Sequence, residues 1–157
     1  MATKLNFDKL DLQIISEMMR NASVSYKELG KKLYVSGGTI HVRMKKLQRQ
    51  GVITGSRYHI NLKKVGYDVI AFIGVYLEKS SMYDSVAKEL NKLPEIVRLN
   101  YTTGNYSMFA EIVCRDMDHL KYVLHDQLQK IKGIERTETL ISLEESFNRS
   151  AEILKGR

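Results

Sequence analysis

From Val69 to Leu77 the chain runs without a single charge. A membrane helix needs about 20 apolar residues, so this run is read as a strand. Its apolar residues fall on both faces, Val69, Ala71 and Ile73 on one side and Phe72 and Tyr76 on the other. Such a strand needs cover on both sides. The segments after it supply one side. Tyr83, Val86, Ala87, Leu90 and Leu93 form a helical stripe that Pro94 closes. Ile96–Tyr101 and Tyr106–Val113 read as strands, and Thr102-Thr103-Gly104-Asn105 between them is turn chemistry, so they pair as a hairpin. Met117, Leu120, Leu124, Leu128 and Ile131 mark a second helix ended by Gly133, and Ile134–Leu143 is the last strand. The order βαββαβ is ferredoxin-like, with both helices on one face of a four-stranded sheet. The other face stays open and apolar, which predicts a homodimer packed sheet to sheet around Phe72 and Tyr76.

The residues before this region have a different period. Asp8 is placed to cap a first helix with Leu10, Ile14, Ile15 and Met18 on one face, ended by Asn21 and Ala22. Ser25-Tyr-Lys-Glu28 is a capping box that opens a second helix bearing Leu29 and Leu33. Tyr34 to Gly38 is a short glycine-bearing turn, and a third helix follows to Arg49. Two short helices, a tight turn and a third helix make a helix-turn-helix. At about 100° per residue, Ile40, Met44 and Leu47 face the core and Val42, Lys45, Lys46 and Arg49 face away. Thr39 and His41 flank the exposed face, and Ser36 and Gly37 lead into it. Arg43 lies nearer the core edge, where it either braces the fold or reaches a phosphate. Cations opposite an apolar stripe suit a helix that enters the major groove. Val52 to Ile60, with Gly55 between two β-rich runs, predicts a small hairpin or wing, from which Arg57 either reaches a phosphate or points to solvent.

Charge separates the same two regions. Residues 1–66 hold 13 lysines and arginines against 4 acids, while residues 67–157 hold 12 against 14. A basic module joined to a slightly acidic one predicts a double-stranded DNA partner for the first part only. The expected organisation is a winged helix-turn-helix in 1–61, a linker in 62–66, and an α+β ferredoxin-like domain with a C-terminal tail in 67–157. One cysteine, Cys114, excludes an internal disulfide and a Cys-based zinc site, and its apolar strand context predicts a buried thiol. His119 and His125 are on different faces of their helix, so no metal motif is expected. No acid, base and nucleophile cluster together, so no catalytic residue and no enzymatic activity are expected. Met1 to Gln13 lacks the apolar core of a secretion signal, which predicts a cytoplasmic protein without a membrane partner.

These residues carry a family resemblance. Leu10-Asp11 with Ile14-Ile15, Leu29-Gly-Lys-Lys-Leu33, Val35-Ser36, Ile40-His-Val-Arg43-Met44 and Gly51-Val-Ile-Thr-Gly55 carry it in the first part. Gly66-Tyr-Asp-Val69, Phe72-Ile-Gly74, Tyr101 through Phe109 and Thr137-Glu-Thr-Leu140 carry it in the second. The chain resembles the Lrp/AsnC, or feast/famine, regulators over almost its whole length. Gly38 to Arg43 and Tyr101 to Phe109 look most like the asparagine-responsive AsnC branch. The resemblance implies dimers that assemble further, commonly to octamers, and an amino-acid effector bound between dimers near the loop joining the second and third strands. Carried over, that loop is Thr102, Thr103, Gly104, Asn105, Tyr106 and Ser107, with Thr137 and Thr139 lining a neighbouring wall. Many relatives hold an acid where this chain has Ser107, a departure that points away from leucine as the ligand. No cofactor is implied beyond an effector such as asparagine.

The expected function is therefore a DNA-binding transcriptional regulator that responds to a small amino acid. The alternative is an architectural protein that wraps DNA with little effector response. Without the resemblance, Gly104 reads as nothing more than a hairpin turn.

Overall fold

The computed structural model describes residues 6–153. The ends of the first domain (1–5) and of the tail (154–157) lie outside the described residues. The chain divides into two units, one running to His59 and rejoined from Phe147 onward, the other spanning Ile60–Ser146.

The first unit is built on three helices, α1 (Lys9–Arg20), α2 (Tyr26–Lys32) and α3 (Gly37–Arg49). Each starts where a polar side chain satisfies an orphan amide. Asp8 accepts from the Asp11 amide, Ser25 and Glu28 form the reciprocal capping box, and Ser36 accepts from the Thr39 amide. Ile14, Ile15, Leu29, Ile40, Met44 and Leu47 form the core between them. The α2–α3 turn is tight enough that a Cβ on Gly30 would stand 2.7 Å from the Val35 carbonyl oxygen. Only glycine allows that approach.

The hairpin expected around Gly55 is not formed. Gly51 turns with φ +68°, and the amides of Val52 and Ile53 both donate to the Leu47 carbonyl at 3.0 and 3.3 Å. The chain is thus spent closing α3. Gly55 lacks the positive φ of a tight hairpin turn, and Arg57 to Leu62 is exposed with no strand beside it. The segment from Phe147 packs with the first unit. There Ile153 lines an apolar groove with Met18, Met19, Val52 and Ile53.

The second unit, from Ile60, contains the residues expected as a linker, among which Lys63–Val65 form a 3-10 turn ended by Gly66 at φ +85°. Then come β1 (Val69–Leu77), α4 (Tyr83–Leu90), β2 (Ile96–Tyr101), β3 (Met108–Cys114), α5 (Met117–Tyr122) and β4 (Ile134–Ile141). The sheet order is β2-β3-β1-β4, and every pairing is antiparallel. This is the ferredoxin-like arrangement read from the sequence. Ala71, Ile73, Val75, Met108, Ala110 and Ile112 pack with Val86, Leu90, Leu120 and Leu128 from the helices. The second helix is not regular throughout. After α5 it widens into a π turn, Val123–Gln127, and tightens into a 3-10 turn, Leu128–Lys130. Val123 and Leu128 are both buried and five residues apart, and the wide turn keeps both on the sheet. Cys114 is buried as expected, and burial pushes its thiol up to about 11. Among the described residues no helix is long and apolar enough to cross a membrane, and no cluster of three or more His, Cys, Asp or Glu is placed to hold a metal.

Candidate DNA interface and effector loop

On α3 the expected division of faces is present. Ile40, Met44 and Leu47 are buried, whereas His41, Val42, Lys45 and Arg49 are exposed. Val42 is an apolar side chain 65% exposed on a helix that has a core to hide it in. The His41 ring lies 5.8 Å from that of Tyr26 on α2. Arg49 Nε reaches back to the Lys45 carbonyl at 3.4 Å, and Arg57 stands exposed in the segment after the helix.

Other members of the predicted set have structural tasks. The Ser36 hydroxyl accepts from the Thr39 amide at 3.0 Å and lies 2.9 Å from the Thr39 hydroxyl, so both work as the cap of α3. Gly37 starts α3 beside α2, where a Cβ would meet the Lys27 Cα at 3.4 Å, an ordinary contact. Arg43 takes the bracing alternative. Its guanidinium donates to Asp8 and, at 2.9 Å, to Asp11, and Lys46 Nζ donates to the other Asp11 oxygen at 3.2 Å. Lys46 therefore leans toward α1 rather than straight outward. Asp11 is completely buried. Burial alone pushes its carboxyl up, but the hydrogen bonds from Arg43 and Lys46 outweigh that and hold it below the ordinary carboxylate range. Asp8 is lowered too, first by its hydrogen bond from Arg43 and then by the Asp11 amide. Sequence reasoning named the two cations but missed these acids as their partners. The signal was available in the unusual apolar context of Asp11.

The loop from Thr102 to Ser107 closes on itself. Thr102 Oγ1 donates to the Tyr106 carbonyl at 2.7 Å, and the Thr102 amide donates to the Ser107 carbonyl at 3.1 Å. Gly104 sits at the tip with φ +103°, exposed beside Thr103 and Asn105. The Ser107 amide donates to the Val75 carbonyl at 2.9 Å and anchors the loop to β1. The Tyr106 side chain leaves the loop and crosses the open face of the sheet. It lies directly over Gly74, where a Cβ would come within 2.4 Å of the ring. Its hydroxyl donates to Glu138 on β4 at 2.9 Å. Glu138 also accepts from Tyr76 at 3.0 Å and Arg136 at 2.7 Å, and Arg136 stacks 3.5 Å above the Tyr76 ring. Hydrogen bonds from Tyr106, Arg136 and Tyr76 lower the Glu138 carboxyl, and the one to Glu138 raises the Tyr106 phenol.

Thr137 and Thr139 are not joined to this network. They pair with Val75 and Ile73, whose side chains are in the helix-covered core, so the sheet separates them from the Tyr106 ring. The residues that meet Tyr106 are Glu138, next to them in the strand, with Tyr76 and Phe109. Strand alternation in the 134–141 segment carried that signal.

Comparison with known proteins adds to this geometry. Residues 70–151 match the Lrp/AsnC ligand-binding domain, and residues 7–54 match a winged helix-turn-helix DNA-binding domain. The chain is 43% identical over 143 residues to the regulatory protein AsnC of Escherichia coli K12, covering 91% of this chain and 94% of that protein. It is 40% identical over 139 residues to the AsnC of Haemophilus influenzae, covering 88% and 93%. The solved structure of E. coli AsnC superposes with a TM-score of 0.87 at 41% identity, over 94% of this chain and 99% of that one. A Neisseria meningitidis transcriptional regulator crystallised with L-methionine also superposes with a TM-score of 0.87, at 20% identity over 92% and 95%, a likeness of fold.

Proposed function

Since the chain belongs to the Lrp/AsnC family of transcriptional regulators, non-enzymatic proteins with a DNA-binding and a ligand-binding domain, we propose that it is a DNA-binding switch whose effector is a small amino acid, asparagine before others. The single observation that carries the DNA half is the exposed face of α3. Val42, His41 and Lys45 stand clear of the core on the second helix of a helix-turn-helix motif, where base edges and phosphates are read. Lys45, Arg49 and Arg57 are the phosphate contacts in this reading, and Arg43 and Lys46 hold the helix in place. Thr39 and His41 join Val42 as candidates for base edges.

The effector half rests on the Thr102–Ser107 loop. The exposed Thr103 hydroxyl and Asn105 side-chain amide beside Gly104 suit a carboxylate or a side-chain amide. The names of the E. coli and H. influenzae relatives and the methionine bound to the Neisseria protein support an amino acid as ligand. Thr137 and Thr139 enter this proposal only as support from the helix-covered side of the sheet. The open sheet face, with Phe72 stacked on Phe109 at 5.9 Å and Leu140 half exposed, is the surface we assign to the homodimer. Assembly to an octamer and a cytoplasmic location are part of the same proposal. The test is DNA affinity measured by fluorescence anisotropy with and without each amino acid. An effector shifts an equilibrium only through differential affinity for its two states, so a real effector changes the dissociation constant. Broad, amino-acid-independent coating of DNA would favour the architectural alternative.

A further inference from the structure

Among the described residues Tyr34 is the one non-glycine residue with positive φ, at +57°. The local hydrogen bonds explain the conformation. The Val35 amide donates to the Gly30 carbonyl at 2.9 Å, and the Tyr34 amide donates to the Lys31 carbonyl at 3.4 Å. These are the two bonds of a Schellman motif closing α2, and they place Tyr34 at the position where glycine is strongly preferred. An aromatic residue there is strained by its Cβ. No packing offsets the strain, because Tyr34 is 96% exposed. The fold would be better served by glycine. Strain of this kind is retained where a side chain has a task outside the fold.

The surroundings indicate the task. Tyr34 lies in the turn of the helix-turn-helix, two residues before Ser36 caps α3. Lys27 and Lys31 are exposed on the helix that ends at this turn, and the Lys27 backbone packs against Gly37 at the start of α3. An exposed phenol in the turn that leads into a recognition helix, after a helix that carries exposed lysines, is matched by a polyanion. We propose that the Tyr34 hydroxyl donates a hydrogen bond to a backbone phosphate of DNA beside the groove that α3 enters. Tyrosine is among the side chains that make such positioning contacts, which fix register without reading sequence. The proposal rests on the DNA-binding reading of α3.

The test uses the full chain with a duplex selected by the protein from a random pool, and a scrambled duplex of the same length. Tyr34→Gly relieves the turn, so its Tm is expected to rise by about 2 °C. Its affinity is expected to fall about three- to tenfold on both duplexes, the size of one hydrogen bond. Tyr34→Phe should lose affinity by a similar factor with an unchanged salt slope, because a neutral donor releases no counterion. A drop in Tm for Tyr34→Gly would mean that the tyrosine serves the fold, and would overturn the proposal. Wild-type affinity in both variants would also overturn it, including the case where self-association changes instead. Lys45→Ala is run alongside. If it lowers the salt slope while Tyr34→Phe binds normally, only the Tyr34 contact fails. If it leaves the slope unchanged, the reading of α3 fails and the Tyr34 contact with it.

Discussion

Arg43 on α3 donates at 2.9 Å to the carboxylate of Asp11 on α1, which has no exposed surface. A recognition helix works only if its angle to the rest of the domain is fixed, and this ion pair crosses between the two helices. Arg43→Ala leaves a buried carboxylate with Lys46 as its remaining cation. The expected cost is about 2 kcal/mol of stability, read by urea unfolding of the full chain. A variant as stable as wild type would mean that Arg43 is free for DNA.

Acid should dissolve the same brace. The folded-state pKa of Asp11 lies below its ordinary value of 3.8. Its stabilising contribution is therefore fully present above about pH 4, the unfolded value, and is lost as pH falls through the lower folded value. Thermal unfolding of wild type and Asp11→Asn between pH 3 and 7 tests this. The wild-type advantage should be constant at neutral pH and shrink below pH 4. An advantage that persists unchanged at pH 3 would contradict it.

On the DNA side, Lys45 and Val42 should separate affinity from specificity. Lys45→Ala should weaken binding alike on all sequences and lower the salt slope by about one counterion. Val42→Asn should change the preferred base near its contact, because an apolar side chain in the major groove favours a thymine methyl. Selection from a random duplex pool measures the preference, and Tm should not move, as Val42 is exposed.

Gly74 is the pivot between the loop and the open face. Gly74→Ala would place a methyl group 2.4 Å from the Tyr106 ring and must displace it from Glu138. The expected results are weaker self-association in analytical ultracentrifugation and a weaker effector response, with DNA contacts on α3 intact. Tyr106→Phe removes the same hydrogen bond without the clash and should give the milder form of both. Wild-type assembly in Gly74→Ala would show that Tyr106 is not part of the association surface.

What was legible in the sequence followed from local chemistry. Ser25 and Glu28 announced a helix start because their hydrogen bonds are within one turn. Val69–Leu77 announced a strand apolar on both faces, and its bounds are those of β1. Ile40, Met44 and Leu47 against Val42 and Lys45 divided α3 into two faces by period alone. The rest depended on partners distant in the chain. Asp11 claims Arg43 and Lys46 from more than 30 positions away, and no helical wheel of α3 contains that information. Tyr106 was read as the start of a strand and, by resemblance, as an effector-loop residue, yet its ring lies across the sheet face because Gly74 leaves room for it. The β-rich run around Gly55 had strand propensity but no neighbouring strand to pair with. The π turn at Val123–Gln127 arose from where the sheet needed Leu128, again a tertiary demand.

In this reading one chain couples DNA binding to an amino acid held at the Gly104 loop. Gly104 has φ +103° with open space where a Cβ would stand, so Gly104→Val disturbs the loop through its backbone rather than through a clash. The decisive measurement is anisotropy of a selected duplex, titrated with wild type and Gly104→Val, each alone and with the common amino acids at millimolar concentration. At least one amino acid, asparagine first, is expected to change the wild-type dissociation constant by about fivefold or more. Gly104→Val should bind DNA equally well and ignore that amino acid. A wild type whose affinity no amino acid changes, or a Gly104→Val variant with an undiminished response, would contradict coupling through the Gly104 loop.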